Sequence, residues 1–216
     1  MAGSRSNPSS PFASGQLHQF SESLGKAIDA KDPFTSLHSE EVAEIAHALA
    51  LAMGLDETQA DTVHVAGHLH DIGKIGIPDH ILRKKDALTD PEWTFIRRHP
   101  DIGADILGPV EALSQNGVVD MVRFHHERID GKGYPCNLRG DDIPLGARII
   151  CLADTLSAIM QNRPYRLARA FEVAVAEIVN CSGTQFDPEV VDAFLKIKTR
   201  IKDILTDLHP CQKGVA

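Results

Sequence analysis

Apolar residues recur along this chain at helical spacing, and the gaps between the runs hold capping and breaking residues. Between Gln16 and Ala30, Leu17, Phe20, Leu24 and Ile28 fall three or four apart, which is one face of a helix. Lys31-Asp32-Pro33-Phe34-Thr35 breaks that run. From about Ser36 to Met53, Val42, Ile45, Ala46, Leu49 and Met53 form a second stripe, with Gly54 as the C-terminal stop and His38 in the first turn. Asp56-Glu57-Thr58-Gln59 has the form of a capping box and predicts a third helix running to His70-Asp71. Thr89-Asp90-Pro91-Glu92 opens another, which should end near His99-Pro100 because proline disfavours helix at the residue before it. A short helix to about Leu107 follows. Beyond Gly108-Pro109, Leu113, Val118, Met121, Val122 and His125 predict one helix that delivers His125-His126-Glu127 at its end.

The pattern then lapses. Arg128 to Gly140 holds glycines 131, 133 and 140 and no periodicity, so it reads as an ordered loop. Helical spacing returns from Pro144 through Ala147, Ile150, Cys151, Asp154 and Ala158, which puts Asp154 on an apolar stripe. Arg163-Pro164-Tyr165-Arg166 makes a compact basic turn. Ala170 to Val179 is a further helix, and Asp187-Pro188 caps the last one, carrying Val190, Val191, Phe194, Leu195 and Ile201. No internal repeat and no alternation of period two is present. The fold class is therefore all-α, a single-domain helical bundle, with residues 1–30 as a leader containing a short helix, 31–205 as the body and 206–216 as a tail.

Composition narrows the picture. The 216 residues are 43% hydrophobic and 24% charged, ordinary for a soluble globular chain, and long enough for one real core. A net charge of -8 argues against a broad nucleic-acid-binding face and leaves room for a local basic pocket. The four cysteines (Cys136, Cys151, Cys181 and Cys211) form no CxxC pair, which points away from a zinc ribbon and toward reduced thiols in a cytoplasmic protein. No apolar run approaches a membrane span. Met1 to Ser14 lacks the apolar core of a signal peptide.

The eleven histidines change it most. His70-Asp71 ends an apolar helix, with Lys74 close behind. Such side chains are costly to bury unless they are paired, protonated or bound to metal. His38, His99, His125, His126 and Asp154 each lie beside a helix signal or on an apolar stripe. These seven ligand candidates exceed what one tetrahedral zinc needs, and two metals sharing Asp71 is the economical arrangement. Such a pair makes a hydroxide nucleophile at neutral pH, and Lys74 would stabilise a phosphoryl group under attack. Hydrolysis of a phosphate ester follows as the expected chemistry. His64 and His68, spaced i, i+4, could suit a zinc pair, but the sequence shows no carboxylate to complete it.

These segments resemble the HD superfamily of metal-dependent phosphohydrolases, and its HD-GYP branch in particular. The resemblance rests on His38-Ser39-Glu40-Glu41-Val42-Ala43, the run His70 to Pro78, His99-Pro100, and His125-His126-Glu127-Arg128-Ile129-Asp130-Gly131-Lys132-Gly133-Tyr134-Pro135. Arg163 to Arg166 and Gly183-Thr184-Gln185-Phe186-Asp187-Pro188 fit in order, so it spans roughly Lys31 to Ile201. It implies an HD-type helical bundle with an added C-terminal helical hairpin, acting in a bacterial cytoplasm as a phosphodiesterase for cyclic di-GMP. A metal-bridging hydroxide would open the ring to linear pGpG, with GMP as a further product. It also implies that His38, His70, Asp71 and Asp154 ligate one metal, and that Asp71 bridges to a second held by His99, His125 and His126. Iron or manganese is the implied pair of divalent ions. A third-metal glutamate of some members is replaced by Phe34, so two metals are expected.

The resemblance further implies that Tyr134, Arg163, Arg166 and Lys74 contact the nucleotide, arginine being suited to pair with phosphate oxygens or a guanine edge. One departure stands out. Family members commonly carry Asp where this chain has Ser157, in Asp154-Thr155-Leu156-Ser157-Ala158, and its loss is expected to affect loop support more than metal binding. The partners implied are a cyclic dinucleotide and no DNA, RNA polymer or membrane. A homodimer and a cyclase-domain partner docking on the Gly-Tyr-Pro loop are compatible with the sequence. So are a nucleotide-binding sensor with little turnover and a hydrolase of another nucleotide.

Overall fold

The structure is a computed structural model, and it describes residues 14–32, 37–161 and 168–209. Among these residues eleven α-helices and no strands are present. In order they are α1 (Ser14–Lys31), α2 (His38–Ala52), α3 (Glu57–Leu69), α4 (Asp79–Leu82), α5 (Asp90–Ile96), α6 (His99–Leu107), α7 (Glu111–Gln115), α8 (Val118–Phe124), α9 (Leu145–Met160), α10 (Phe171–Asn180) and α11 (Pro188–Leu208). A 3-10 turn, Ile72–Gly76, follows α3, and a second covers Gly140–Asp142.

The amphipathic stripes explain the packing. α2 lies at the centre, with α3 on one side, α9 on another, and α1 and α11 across its remaining faces. Val42, Ile45 and Leu49 of α2 meet Val63 and Ala66 of α3 and Ile149, Leu152 and Leu156 of α9 in one buried core. Each large apolar side chain shut away there contributes roughly 1.5–3 kcal/mol. α10 packs on α9 and α11, forming the C-terminal hairpin against this core. No helix among the described residues is long and apolar enough to cross a membrane.

The caps act as the sequence predicts at α3, where Asp56 accepts from the Gln59 amide at 2.8 Å and Gln59 Oε1 accepts from the Asp56 amide at 3.1 Å. At α5, Glu92 Oε2 accepts from both the Thr89 amide and its hydroxyl, at 2.8 and 2.9 Å. Two expectations differ from what is observed. His99 does not end α5, which stops at Ile96; it opens α6, with Pro100 in that helix's first turn, where a missing amide costs nothing. The single helix expected over Leu113 to His125 is two, α7 and α8, parted at Gly117, whose φ of +78° is the left-handed conformation glycine adopts freely.

Candidate metal centre

Four helix ends and one helix face deliver the polar side chains to one place. His38 is the first residue of α2, His70 caps α3, His99 is the first residue of α6, and His125 caps α8. Asp154 comes from the face of α9. The turn Ile72–Gly76 can press against α6 because residue 73 is glycine: a Cβ there would lie 1.9 Å from the His99 carbonyl oxygen. That approach sets the distance between Asp71 and His99.

The two oxygens of Asp71 face different histidines. Oδ2 lies 3.3 Å from His70 Nε2 and 3.8 Å from His38 Nε2, while Oδ1 lies 3.3 Å from His99 Nε2. Asp154 Oδ1 adds a second carboxylate to the first set, 3.2 Å from His38 Nε2. His125 and His126 join the second: His99, His125 and His126 each offer a ligand atom, all within 4.8 Å of one another, as do His38, His70 and Asp71.

The other ring nitrogens explain why these atoms point inward. His70 Nδ1 donates to the Gly67 carbonyl at 2.7 Å, His99 Nδ1 to Ile96 at 2.8 Å, and His125 Nδ1 to Val122 at 2.7 Å. A carbonyl can only accept, so each Nδ1 carries the proton in the neutral ring and each Nε2 is a bare lone pair. His99 Nε2 and His125 Nε2 therefore meet at 3.3 Å as two acceptors rather than as a hydrogen bond. His70 Nε2 is fully buried and has no hydrogen-bond partner. Buried, converging lone pairs with their distal nitrogens pinned to oxygen are what metal-bound histidines require. The residues fit a metal centre.

Burial and neighbouring charges act on His70 and Asp71 in opposite senses. Burial would push the His70 imidazole down, but Asp71 beside it wins and raises it to about 9. Burial works to raise the Asp71 carboxyl, and Lys74 and His70 hold it well below the usual range. Burial pushes His99 down and His125 far down, and it takes His126 to about 3, with neighbouring rings adding to the effect at His125 and His126. Rings depressed in the folded state bind protons more readily when unfolded, so they destabilise the metal-free fold as pH falls from 6.5 toward about 3. His70 acts in the opposite sense, and its contribution is lost as pH rises from 6.5 through about 9. Urea midpoints of chelator-treated protein should therefore peak between these flanks, and metal should flatten the acid side. A midpoint that rises steadily into acid would contradict the assignment.

Ser157 does something the sequence did not lead us to expect. It hydrogen-bonds a candidate metal ligand: His38 Nδ1 donates to Ser157 Oγ at 2.8 Å, and the Ser157 hydroxyl donates to Glu41, itself 2% exposed. Glu41 also meets Gln161 Nε2 at 3.1 Å and His209 Nε2 at 2.5 Å. Support thus falls on His38 rather than on a loop, because one turn of α9 separates Asp154 from Ser157 and both face α2. Ser157→Ala should weaken metal binding about 10–100-fold while leaving helix content unchanged, as read by chelator competition.

A cleft of about 910 Å³ opens over the centre. Lys74 lines it, with Nζ 2.7 Å from Asp71 Oδ2 and 3.2 Å from Asp32 Oδ2. Tyr134 lines it too, stacked on His126 at 4.7 Å, with the Arg97 guanidinium carbon 5.8 Å from its ring centre. Sequence reasoning did not single out Arg97 or Asp32. Arg128 and Lys132, also on the cleft, fall within the motif segment without having been given a role. Lys84 lines the cleft as well, and these basic side chains stand beside Asp32, Asp86 and Glu177 on its wall. Arg97 had no signal: it is one of many charged residues on short helices.

Glu127 and Asp130 hold the loop. Glu127 Oε1 accepts from the Cys136 amide at 2.6 Å, and Asp130 pairs with Arg128 at 2.8 Å and accepts from the Lys132 amide at 3.1 Å. Arg163, Arg166 and Phe34 lie outside the described residues. His64 and His68 point away from this centre, on the face of α3 that meets α1.

The chain is similar to proteins already known. The HD domain family model matches residues 22–190. The cyclic di-GMP phosphodiesterase response regulator RpfG of Xanthomonas campestris is 40% identical over 182 residues, covering 84% of this chain and 48% of that protein. A cyclic di-GMP phosphodiesterase of Thermotoga maritima is 37% identical over 188 residues, covering 87% of this chain and 51% of its own. The chain thus spans about half the length of these curated relatives. Among solved structures, a cyclic GMP-AMP specific phosphodiesterase of V. cholerae shares the fold, with a TM-score of 0.70 at 19% identity over 89% of this chain and 51% of that one. With a family match over most of its length and relatives at this identity, the chain belongs to the HD domain family and carries the motifs of the HD-GYP branch.

Proposed function

We propose that this chain is a metal-dependent phosphodiesterase that opens cyclic di-GMP to linear pGpG, and on to GMP where the second ester is accepted. The observation that carries it is Asp71, whose two oxygens face two separate sets of lone-pair nitrogens. His38, His70, Asp71 and Asp154 would hold one ion, and Asp71, His99, His125 and His126 the other, with iron or manganese the expected pair. Bound there, the ions lower the pKa of water and neutralise phosphate oxygens.

The chain's own groups do the rest. Each pinned Nδ1–H keeps an imidazole in the tautomer and orientation that presents Nε2, so little reorganisation is needed at the moment of reaction. Lys74, on the cleft wall, sets a positive charge where a phosphate would approach Asp71. Tyr134, backed by His126, offers a flat face for a base, and Arg97 a guanidinium fork beside it. Arg163 and Arg166 are proposed as further nucleotide contacts. The cleft volume is at the upper end for a small-molecule site, as two nucleotides joined in a ring demand.

The test is protein reconstituted with iron or manganese and offered cyclic di-GMP beside other cyclic dinucleotides and nucleotide phosphates, with products separated by chromatography. Linear product from cyclic di-GMP supports the assignment. Cleavage of a different ring relocates the substrate. Saturable binding without product in metal-loaded protein overturns the activity in favour of a nucleotide sensor. Ser157 is no argument for a sensor, since it keeps the support of His38 in place.

A further inference from the structure

A second group of histidines lies across α3 from His70. His64 and His68 stand one turn apart on α3, and α1 lays His18 against them. The His18 and His64 rings stack at 4.4 Å and 11°, and His64 meets His68 edge to face at 4.7 Å. Each of the three offers a ligand nitrogen, all within 4.8 Å of one another. His64 and His68 are 4% and 3% exposed, while His18 is half-buried at the rim.

The protonation pattern repeats that of the metal centre. His64 Nε2 lies 3.3 Å from Glu44 Oε1, and a carboxylate can only accept, so in the neutral ring Nε2 carries the proton and Nδ1 the lone pair. That Nδ1 is buried and has no hydrogen-bond partner. An unmet buried acceptor is costly, and ordinary core packing would not select three adjacent imidazoles to surround it. Glu44 supplies the outer carboxylate that the sequence alone did not reveal, because it comes from α2, twenty residues upstream of His64. His18, half-buried, is the most solvent-exposed of the three. Nitrogens around a tetrahedral zinc lie about 3.4 Å apart, so a small rotation of His18 closes the set.

We propose that His18, His64 and His68 form a structural site for a divalent transition metal, zinc by its preference for imidazole, that clamps α1 onto α3 apart from the catalytic centre. The clamp has a consequence at the other end of α1. There Asp29 accepts from the Ser39 amide and hydroxyl at 3.1 and 2.9 Å, next to His38, and Asp32 pairs with Lys74. An ion at His18 would thus hold the helix that braces two residues of the catalytic cleft.

The test uses the full chain, stripped of metal, reloaded with zinc and desalted, with zinc counted per chain. The wild type should retain one equivalent more than His18→Gln, a change at the rim that the fold should tolerate, as far-UV circular dichroism would verify. The same difference should persist in an Asp71→Ala background, which separates it from the catalytic centre. There, zinc at a hundredfold excess over its Kd should raise Tm by about 5–10 °C, and adding His18→Gln should remove that shift. Equal zinc content with and without His18, or an unchanged Tm shift, would overturn the proposal.

Discussion

Asp71→Asn is expected to abolish turnover and to empty both halves of the centre, although the side chain keeps its size and shape. The carboxylate faces both sets of histidines: Oδ2 looks to His38 and His70, and Oδ1 to His99. An amide presents one oxygen and one N–H donor, so whichever way it turns, one set faces a group that cannot ligate. Losing that charge should lower kcat/KM by about a thousandfold or more. Metal content should fall for both sites rather than one, while helix content holds. A variant that kept two tightly held ions would show that Asp71 is not shared.

Gly73→Ala should cost this chain far more stability than a methyl added at an open glycine. The new Cβ would sit 1.9 Å from the His99 carbonyl oxygen and 2.6 Å from the Gly103 amide nitrogen, both backbone atoms that cannot swing aside. Relieving the clash means pushing α6 away from the turn that follows Asp71, at a cost of about 3 kcal/mol or more. Because His99 is the first residue of α6, the same shift should drag a ligand out of the centre, so stability and metal content fall together. Gly15→Ala is the control: nothing lies within 4 Å of its added Cβ, and α1 should gain slightly from alanine. Equal urea midpoints for the two variants would contradict the packing described above.

Most of the helices were legible because their signals are local. The Asp56 and Thr89 caps act over three residues, and the stripes of α2, α9 and α11 repeat every turn, so neither needs knowledge of the rest of the chain. Sequence pattern and structure part where two local rules compete. Pro100 argued that the chain left helix at His99, but proline also favours a first turn, and the packing of α6 on the turn Ile72–Gly76 decided for the second. Gly117 lies within an apolar pattern, and its φ of +78° divides that pattern between two helices.

By itself the sequence determined the all-α class, the caps, the seven candidate ligands and the family, since each depends on residue type and spacing along one strand of covalent chain. Tertiary structure alone decided which atom faces which. It turned the two oxygens of Asp71 to different partners, hung His38 on Ser157, 119 positions away, and set Lys74 between Asp71 and Asp32. It also brought His18 and Glu44 to the i, i+4 pair His64 and His68, which had looked incomplete. The reason is physical: side-chain direction within a helix follows from local periodicity, whereas a shared ion or hydrogen bond depends on how separate helices pack, and that is written in no single stretch of sequence.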